Sequence, residues 1–151
     1  MFRLTKKMIY ALEAVVDVAY NGRGGPVQSR DITKRQEIPQ RYLEQVMQQL
    51  VRAGILKGVR GPKGGYNLAR ERRRISVGEI VRVITDMDSK KDKGAALSQS
   101  RLGKKVINPL IENLNETIMK DLNNITLQDL CQQAMSEGVE TDSAKNFTFN
   151  I

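Results

Sequence analysis

Five polar side chains, Arg41, Glu44, Gln45, Gln48 and Arg52, follow one another at steps of three, one, three and four residues. On a helix of 3.6 residues per turn that spacing sets them on one side. Their chemistry suits the edges of base pairs. Arginine offers a fork to guanine O6 and N7, glutamine matches adenine N6 and N7, and a carboxylate accepts from cytosine N4. Between them Leu43, Val46, Met47 and Leu50 form an opposite, inward stripe. A solvated helix face has the same composition, so this helix alone does not fix a partner.

A second cluster follows at once. Arg60-Gly61-Pro62-Lys63-Gly64-Gly65-Tyr66 carries two cations on a turn with three glycines. Glycine permits positive φ and close approach of main chain to a ligand. Arg60 suits a minor groove, while Lys63 and glycine N–H groups suit phosphate. A nucleotide phosphate loop is the poorer reading, because no Gly-Lys-Ser/Thr follows and no βαβ unit surrounds the turn. With the neighbouring Gln40, the expected DNA contacts are Gln40, Arg41, Glu44, Gln45, Gln48, Arg60, Gly61, Lys63, Gly64 and Tyr66.

The elements that would hold these residues can be read from period and punctuation. Thr5 is placed to cap a first helix with Met8, Ile9, Leu12, Val15, Val16 and Ala19 as its buried stripe, ended by Asn21-Gly22. A short second helix runs from Ser29 to about Gln36, anchored by Ile32. Pro39 suits the first position of the third helix, and Gly54 suits its left-handed stop. The period then changes to two over Ile55–Val59 and Tyr66–Ala69, a hairpin. Three helices followed by a glycine-tipped hairpin predict a mainly α fold with a small β-hairpin wing, a winged helix-turn-helix over residues 1–75. Ser76-Val77-Gly78-Glu79 reads as a capping box opening a helix with Val77, Ile80, Val81 and Ile84 inside. This helix and an aperiodic, mobile stretch from Asp88 to Ser100 make up a connecting region, 76–104.

Beyond it Ile107, Ile111, Leu114, Ile118, Leu122 and Ile125 recur at steps of four, three, four, four and three, close to a heptad seam. The expected helix starts at or near Asn108-Pro109. It has little core of its own left to cover, so Ile107, Ile111, Leu114, Ile118 and Leu122 are expected at a two-fold dimer interface. A last short helix from Thr126 puts Leu130, Cys131, Ala134 and Met135 on one face and completes the dimerisation unit, 105–137. The tail, 138–151, ends in a strand-like alternation over Phe147–Ile151.

Charge sharpens this division. The chain of 151 residues has a net charge of +8. Residues 1–75 hold 16 Lys and Arg against 6 Asp and Glu, a net of +10, and residues 76–151 hold 9 against 11, a net of −2. The basic half is thus the half with the helix and the turn, which points to double-stranded DNA as partner. No apolar segment approaches a membrane span and the start is not a leader peptide, so a soluble cytoplasmic protein without membrane contact is expected. There is no histidine and one cysteine, Cys131. With no histidine, no nucleophile elbow and no convergent carboxylate pair, an enzyme is not expected.

Tyr42-Leu43-Glu44-Gln45 with Val59-Arg60-Gly61-Pro62-Lys63-Gly64-Gly65-Tyr66 resembles the winged-helix regulator family that includes the iron–sulfur cluster regulator IscR, the nitric-oxide sensor NsrR and the cysteine-metabolism repressor CymR. Leu4-Thr5-Lys6-Lys7, Ser76-Val77-Gly78-Glu79-Ile80 and Asn123-Asn124-Ile125-Thr126-Leu127 fit it too, so the resemblance spans roughly residues 1–136. It implies a homodimer, a palindromic operator, and base readout by the third helix and the Arg60 wing. Glu44 falls at the family position associated with selectivity between operator classes. A repressor, possible targets being genes of iron–sulfur or sulfur metabolism, is the implied role. Sensing members resemble one another in a three-cysteine loop that holds an iron–sulfur cluster. Here residues 86–108 contain no cysteine, and Lys93, Gln99 and Lys105 fall near the corresponding places. A cluster needs thiolate or comparable ligands, so no cofactor is expected. Cys131 is read as a small core residue, the sharper alternatives being a redox-sensing thiol or a single thiolate ligand in a cluster completed by other groups. The rival function is an adaptor or regulator controlled by a protein effector that uses the same scaffold.

Overall fold

The computed structural model describes residues 5–89 and 97–141. Lys93 and the alternating tail at Phe147–Ile151 therefore lie outside the described residues. Six helices are described: α1 (Lys6–Asn21), α2 (Ser29–Gln36), α3 (Gln40–Arg52), α4 (Val77–Ser89), α5 (Asn108–Asn123) and α6 (Leu127–Ser136). An antiparallel hairpin, β1 (Leu56–Val59) and β2 (Gly65–Leu68), stands between α3 and α4 in register Leu56 with Leu68 and Val59 with Gly65. This is the winged helix-turn-helix expected, mainly helical with a β wing.

α1 is the central element. The hydroxyl of Thr5 accepts from the Met8 N–H and caps it. Met8, Val15 and Ala19 are buried as expected, but Ile9 is exposed. The buried face instead includes Ala11, Ala14 and Val18, because small residues let α3 and α4 approach closely. α3 sends Leu43, Val46, Met47 and Leu50 into the same core, and Ile32, Ile38, Ile80, Ile84 and Leu127 close it. Gly54, with φ +76°, ends α3 in the left-handed region.

Among the described residues one charged side chain, Asp17, is buried. The Asp17 side chain is 0% exposed. Its carboxylate accepts from Arg35 Nε at 2.9 Å, from Arg35 Nη2 at 2.8 Å and from Gln36 Nε2 at 2.8 Å. Three donors replace the water that burial removed, as an interior carboxylate requires. The bond ties α1 to the last turn of α2, one residue before Glu37, a non-glycine residue at φ +54°. That left-handed residue turns the chain into α3, and buried Ile38 holds it there.

The C-terminal part differs from expectation at four points. α4 continues through Asp88 to Ser89, into the stretch expected to be mobile, of which residues 90–96 lie outside the described residues. The long helix starts before Asn108: residues 101–102 are helical and Gly103–Ile107 form a π turn that runs into α5. Pro109 explains it, since proline has no N–H to donate back along the helix and its ring crowds the preceding turn. Asn108 also clamps residue 98, accepting from the Ser98 N–H and donating to its carbonyl. The third point is α6, where Cys131 is buried, Leu130 and Ala134 are half-buried and Met135 is exposed. Thr126 and Asp129 close a reciprocal capping box there. Finally, Ser76 caps α4, but the Glu79 carboxylate is taken by Arg70.

Replacing Asp17 by Ala removes the buried carboxylate that holds Arg35 and Gln36 and should lower the unfolding free energy by about 3 kcal/mol. Urea melts followed by circular dichroism would measure it. The double variant D17A/R35M should recover part of that loss, because it removes both charges together.

Candidate nucleic-acid interface

The exposed side of α3 carries Gln40, Arg41, Glu44, Gln45, Gln48 and Arg52, all in contact with solvent, while its other side is wholly buried. The sequence-derived contact face is thus presented as one surface. Its first turn is also organised. Gln40 Nε2 donates to Glu44 Oε1 at 3.2 Å, and Gln40 Oε1 lies 3.1 Å from the Thr33 hydroxyl of α2. Glu44 keeps its second oxygen for an outside donor, and exposed Gln40 keeps its second amide N–H. Tyr42 packs its ring on Tyr10, centroids 5.8 Å apart, which fixes the N-terminal end of α3 against α1.

The wing places Arg60, Gly61, Pro62 and Lys63 in solvent. Gly61 has φ +112° and its carbonyl accepts from the Gly64 N–H at 2.9 Å. Gly64 is buried, and that N–H is therefore not available to a phosphate. A Cβ at Gly64 would run into the Val59 carbonyl, so only glycine closes this turn. Tyr66 is half-buried and packs on the core, with its backbone paired to Val27 in both directions at 2.9 and 2.8 Å. Its ring is a support for the wing as much as a surface.

Two braces were missing from the sequence reading. Val27 acts as a one-residue third strand beside Tyr66, and a single residue has no period by which to recognise it. Gln28 Nε2 donates to the Pro62 carbonyl at 3.3 Å, fastening the wing tip to the entrance of α2. The α2–α3 pair and the wing are consequently one unit. Among the described residues, Arg41, Arg52, Arg60 and Lys63 have no carboxylate partner, so their charge faces outward uncompensated.

The five residues expected at a dimer contact are divided. Ile107, Leu114 and Ile118 are exposed, Ile111 is half-buried, and Leu122 packs on the core beside Met119. The exposed set is joined by Leu102, Val106 and Leu110, of which Leu102 is 66% exposed. Cys131 is buried; burial pushes its thiol up from the ordinary value, and the nearby Arg72 and Arg23 guanidiniums only partly offset this. At neutral pH it is a protonated, shielded thiol. Among the described residues no three His, Cys, Asp or Glu side chains gather to hold a metal ion. None of the described helices is long and apolar enough to cross a membrane.

Comparison with known proteins agrees with this geometry. The family model described as Rrf2, iron-dependent transcriptional regulator, matches residues 4–133. The transcriptional regulator IscR of Klebsiella pneumoniae is 40% identical over 129 residues, covering 85% of this chain and 78% of that protein. IscR of Escherichia coli K12 is 39% identical over 85% of this chain and 79% of its own length. Among solved structures, T. potens IscR superposes with a TM-score of 0.73 at 32% identity, covering 95% of this chain and 96% of that one. CymR, described as the global cysteine regulator of B. subtilis, gives 0.70 at 27% identity, over 88% and 98% of the two chains.

Gly65 tests the wing. It has φ +156°, and a Cβ there would strike the Val27 carbonyl. Gly65→Ala should leave the helical circular dichroism intact yet weaken binding to duplex DNA by about tenfold, about 1.4 kcal/mol. Fluorescence anisotropy with a labelled duplex would read it.

Proposed function

The chain belongs to the Rrf2 family and is a DNA-binding transcriptional regulator of the IscR type, not an enzyme, and we propose that it works as a homodimeric repressor on a palindromic operator. The observation that carries this reading is the outward polar face of α3, set beside the Arg60 and Lys63 tip of a braced wing. In this reading α3 enters the major groove, where Arg41, Glu44, Gln45 and Gln48 meet base edges. Arg60 enters the adjoining minor groove, and Lys63 neutralises phosphate. The Gln40 contact orients Glu44, so Glu44 admits a cytosine amino group and repels an acceptor at the same place.

The homodimer is supported by the apolar stripe of Leu102, Val106, Leu110, Leu114 and Ile118. It stands exposed along the π turn and α5, with nothing of the described chain over it. A second copy of the same helix would cover it about a two-fold axis, each protomer presenting one α3 to the DNA. CymR is described as a cysteine regulator, and with the IscR likeness this favours operators of iron–sulfur or sulfur metabolism genes in the cytoplasm. The donor set does not fit the family's three-thiolate cluster: the whole chain has one cysteine, and Cys131 is buried. No step is assigned to such a cluster, which leaves the regulatory input to a protein effector or a small ligand.

Fragments selected from the source genome would test the reading. Arg60→Ala and Gln45→Ala should relax base preference, each by about 1–3 kcal/mol at the contacted pair. Lys63→Ala should weaken all duplexes alike and lower the log–log salt slope by about one unit. A wild-type chain with a shallow salt slope and no preference among promoter fragments would refute the assignment.

A further inference from the structure

The segment Arg70-Glu71-Arg72-Arg73-Arg74 carries four arginines between the wing and α4, and the structure sorts them. Arg70 pairs with Glu79, and Arg73 and Arg74 both turn to Glu71. Arg72 has no carboxylate partner among the described residues. It is half-buried, hydrogen-bonds with the Cys131 thiol, and lines a cavity of about 540 Å³ between the end of α1, the hairpin and its own turn.

That cavity brings together cations from three places in the chain. Arg23 comes from the 3-10 turn after α1, Lys57 from β1 and Arg72 from the turn before α4, with the Asn67 side chain beside them. Lys57 and Asn67 are register partners, so they share one face of the hairpin. The floor is apolar, from Val18 and Ala19, and no carboxylate lines the site. Neither Arg23 nor Lys57 has a carboxylate partner elsewhere among the described residues. Three like charges around one concave space repel one another until an anion enters, and partial burial of Arg72 strengthens that need. A planar guanidinium, an ammonium and an amide N–H2 are the donor set for tetrahedral oxyanions, with Arg72 supplying the bidentate fork.

We propose that the Arg23–Lys57–Arg72 cavity is a binding site for a phosphate- or sulfate-class oxyanion. An anion held there would bridge α1, the wing and the turn before α4, and so would set the angle of the wing against α3. Two sources share this chemistry: a free phosphorylated or sulfated solute, and a backbone phosphate of bound DNA. The first needs no DNA and stands apart from the operator reading; the second rests on it.

The test uses the full chain, first without DNA. Inorganic pyrophosphate and sulfate are titrated by calorimetry at ionic strength held constant with chloride. Saturable binding that falls at least tenfold in Arg72→Gln, and falls less in Arg72→Lys, supports a free-anion site. The DNA arm compares salt slopes for one operator fragment. A slope lower by about one unit in Arg72→Gln, without binding of free anion, assigns the site to a backbone phosphate. Matching melting temperatures control for folding; where Arg72→Gln fails to fold, the exposed Arg23→Gln and Lys57→Gln variants decide on the same readings. No anion binding together with an unchanged salt slope overturns the proposal.

Discussion

Asp17 is the constraint on which the arrangement depends. A carboxylate fully removed from water needs donors, and Arg35 and Gln36 supply three hydrogen bonds from the final turn of α2. Because both donors precede Glu37, the left-handed residue of the turn, the ionic contact fixes where α3 leaves α2. The apolar core holds α3 from beneath through Leu43, Val46, Met47 and Leu50. Burial is not directional, so it sets depth but not the angle of approach. The hydrogen-bonded pair sets that angle, and Thr33 and Gln28 pass it on, one to Gln40 at the head of α3 and the other to the wing tip.

The sequence made α3 legible because its two faces differ sharply in chemistry and both follow helical spacing. The wing was legible for another reason: three glycines between short alternating runs permit few conformations. Asp17 was hidden because a charged residue among apolar ones reads as the edge of a stripe, and its partners lie 18 and 19 residues away. Ile9 misled because size was taken for burial, whereas close helix packing around α1 selects Ala11 and Ala14. Gly64 and Tyr66 are of residue types that suit a contact surface. Their backbone bonds to Gly61 and Val27 show that much of their role is to make the wing rigid.

In the second half Pro109 hides where the long helix begins. A proline near the start of a periodic run marks a helix N-terminus more often than a helix interior. Here the helix passes through a π turn instead, which rotates the residues before it relative to those after it. The expected seam divides within α5 itself, where only its last turn reaches the core. Leu122 joins the core, and Leu102, Val106 and Leu110 join Ile107, Leu114 and Ile118 on the exposed side. A count that starts at Ile107, the last residue of that turn, leaves out Val106 within it and Leu102 before it.

The central claim is that two copies of this chain present two α3 helices to one face of a duplex. Hydroxyl-radical footprinting on an operator selected from the source genome tests it most directly. Two protected tracts related by a two-fold axis are expected, their centres about 34 Å apart, one turn of the double helix. A single unsymmetrical tract at saturating protein would contradict it.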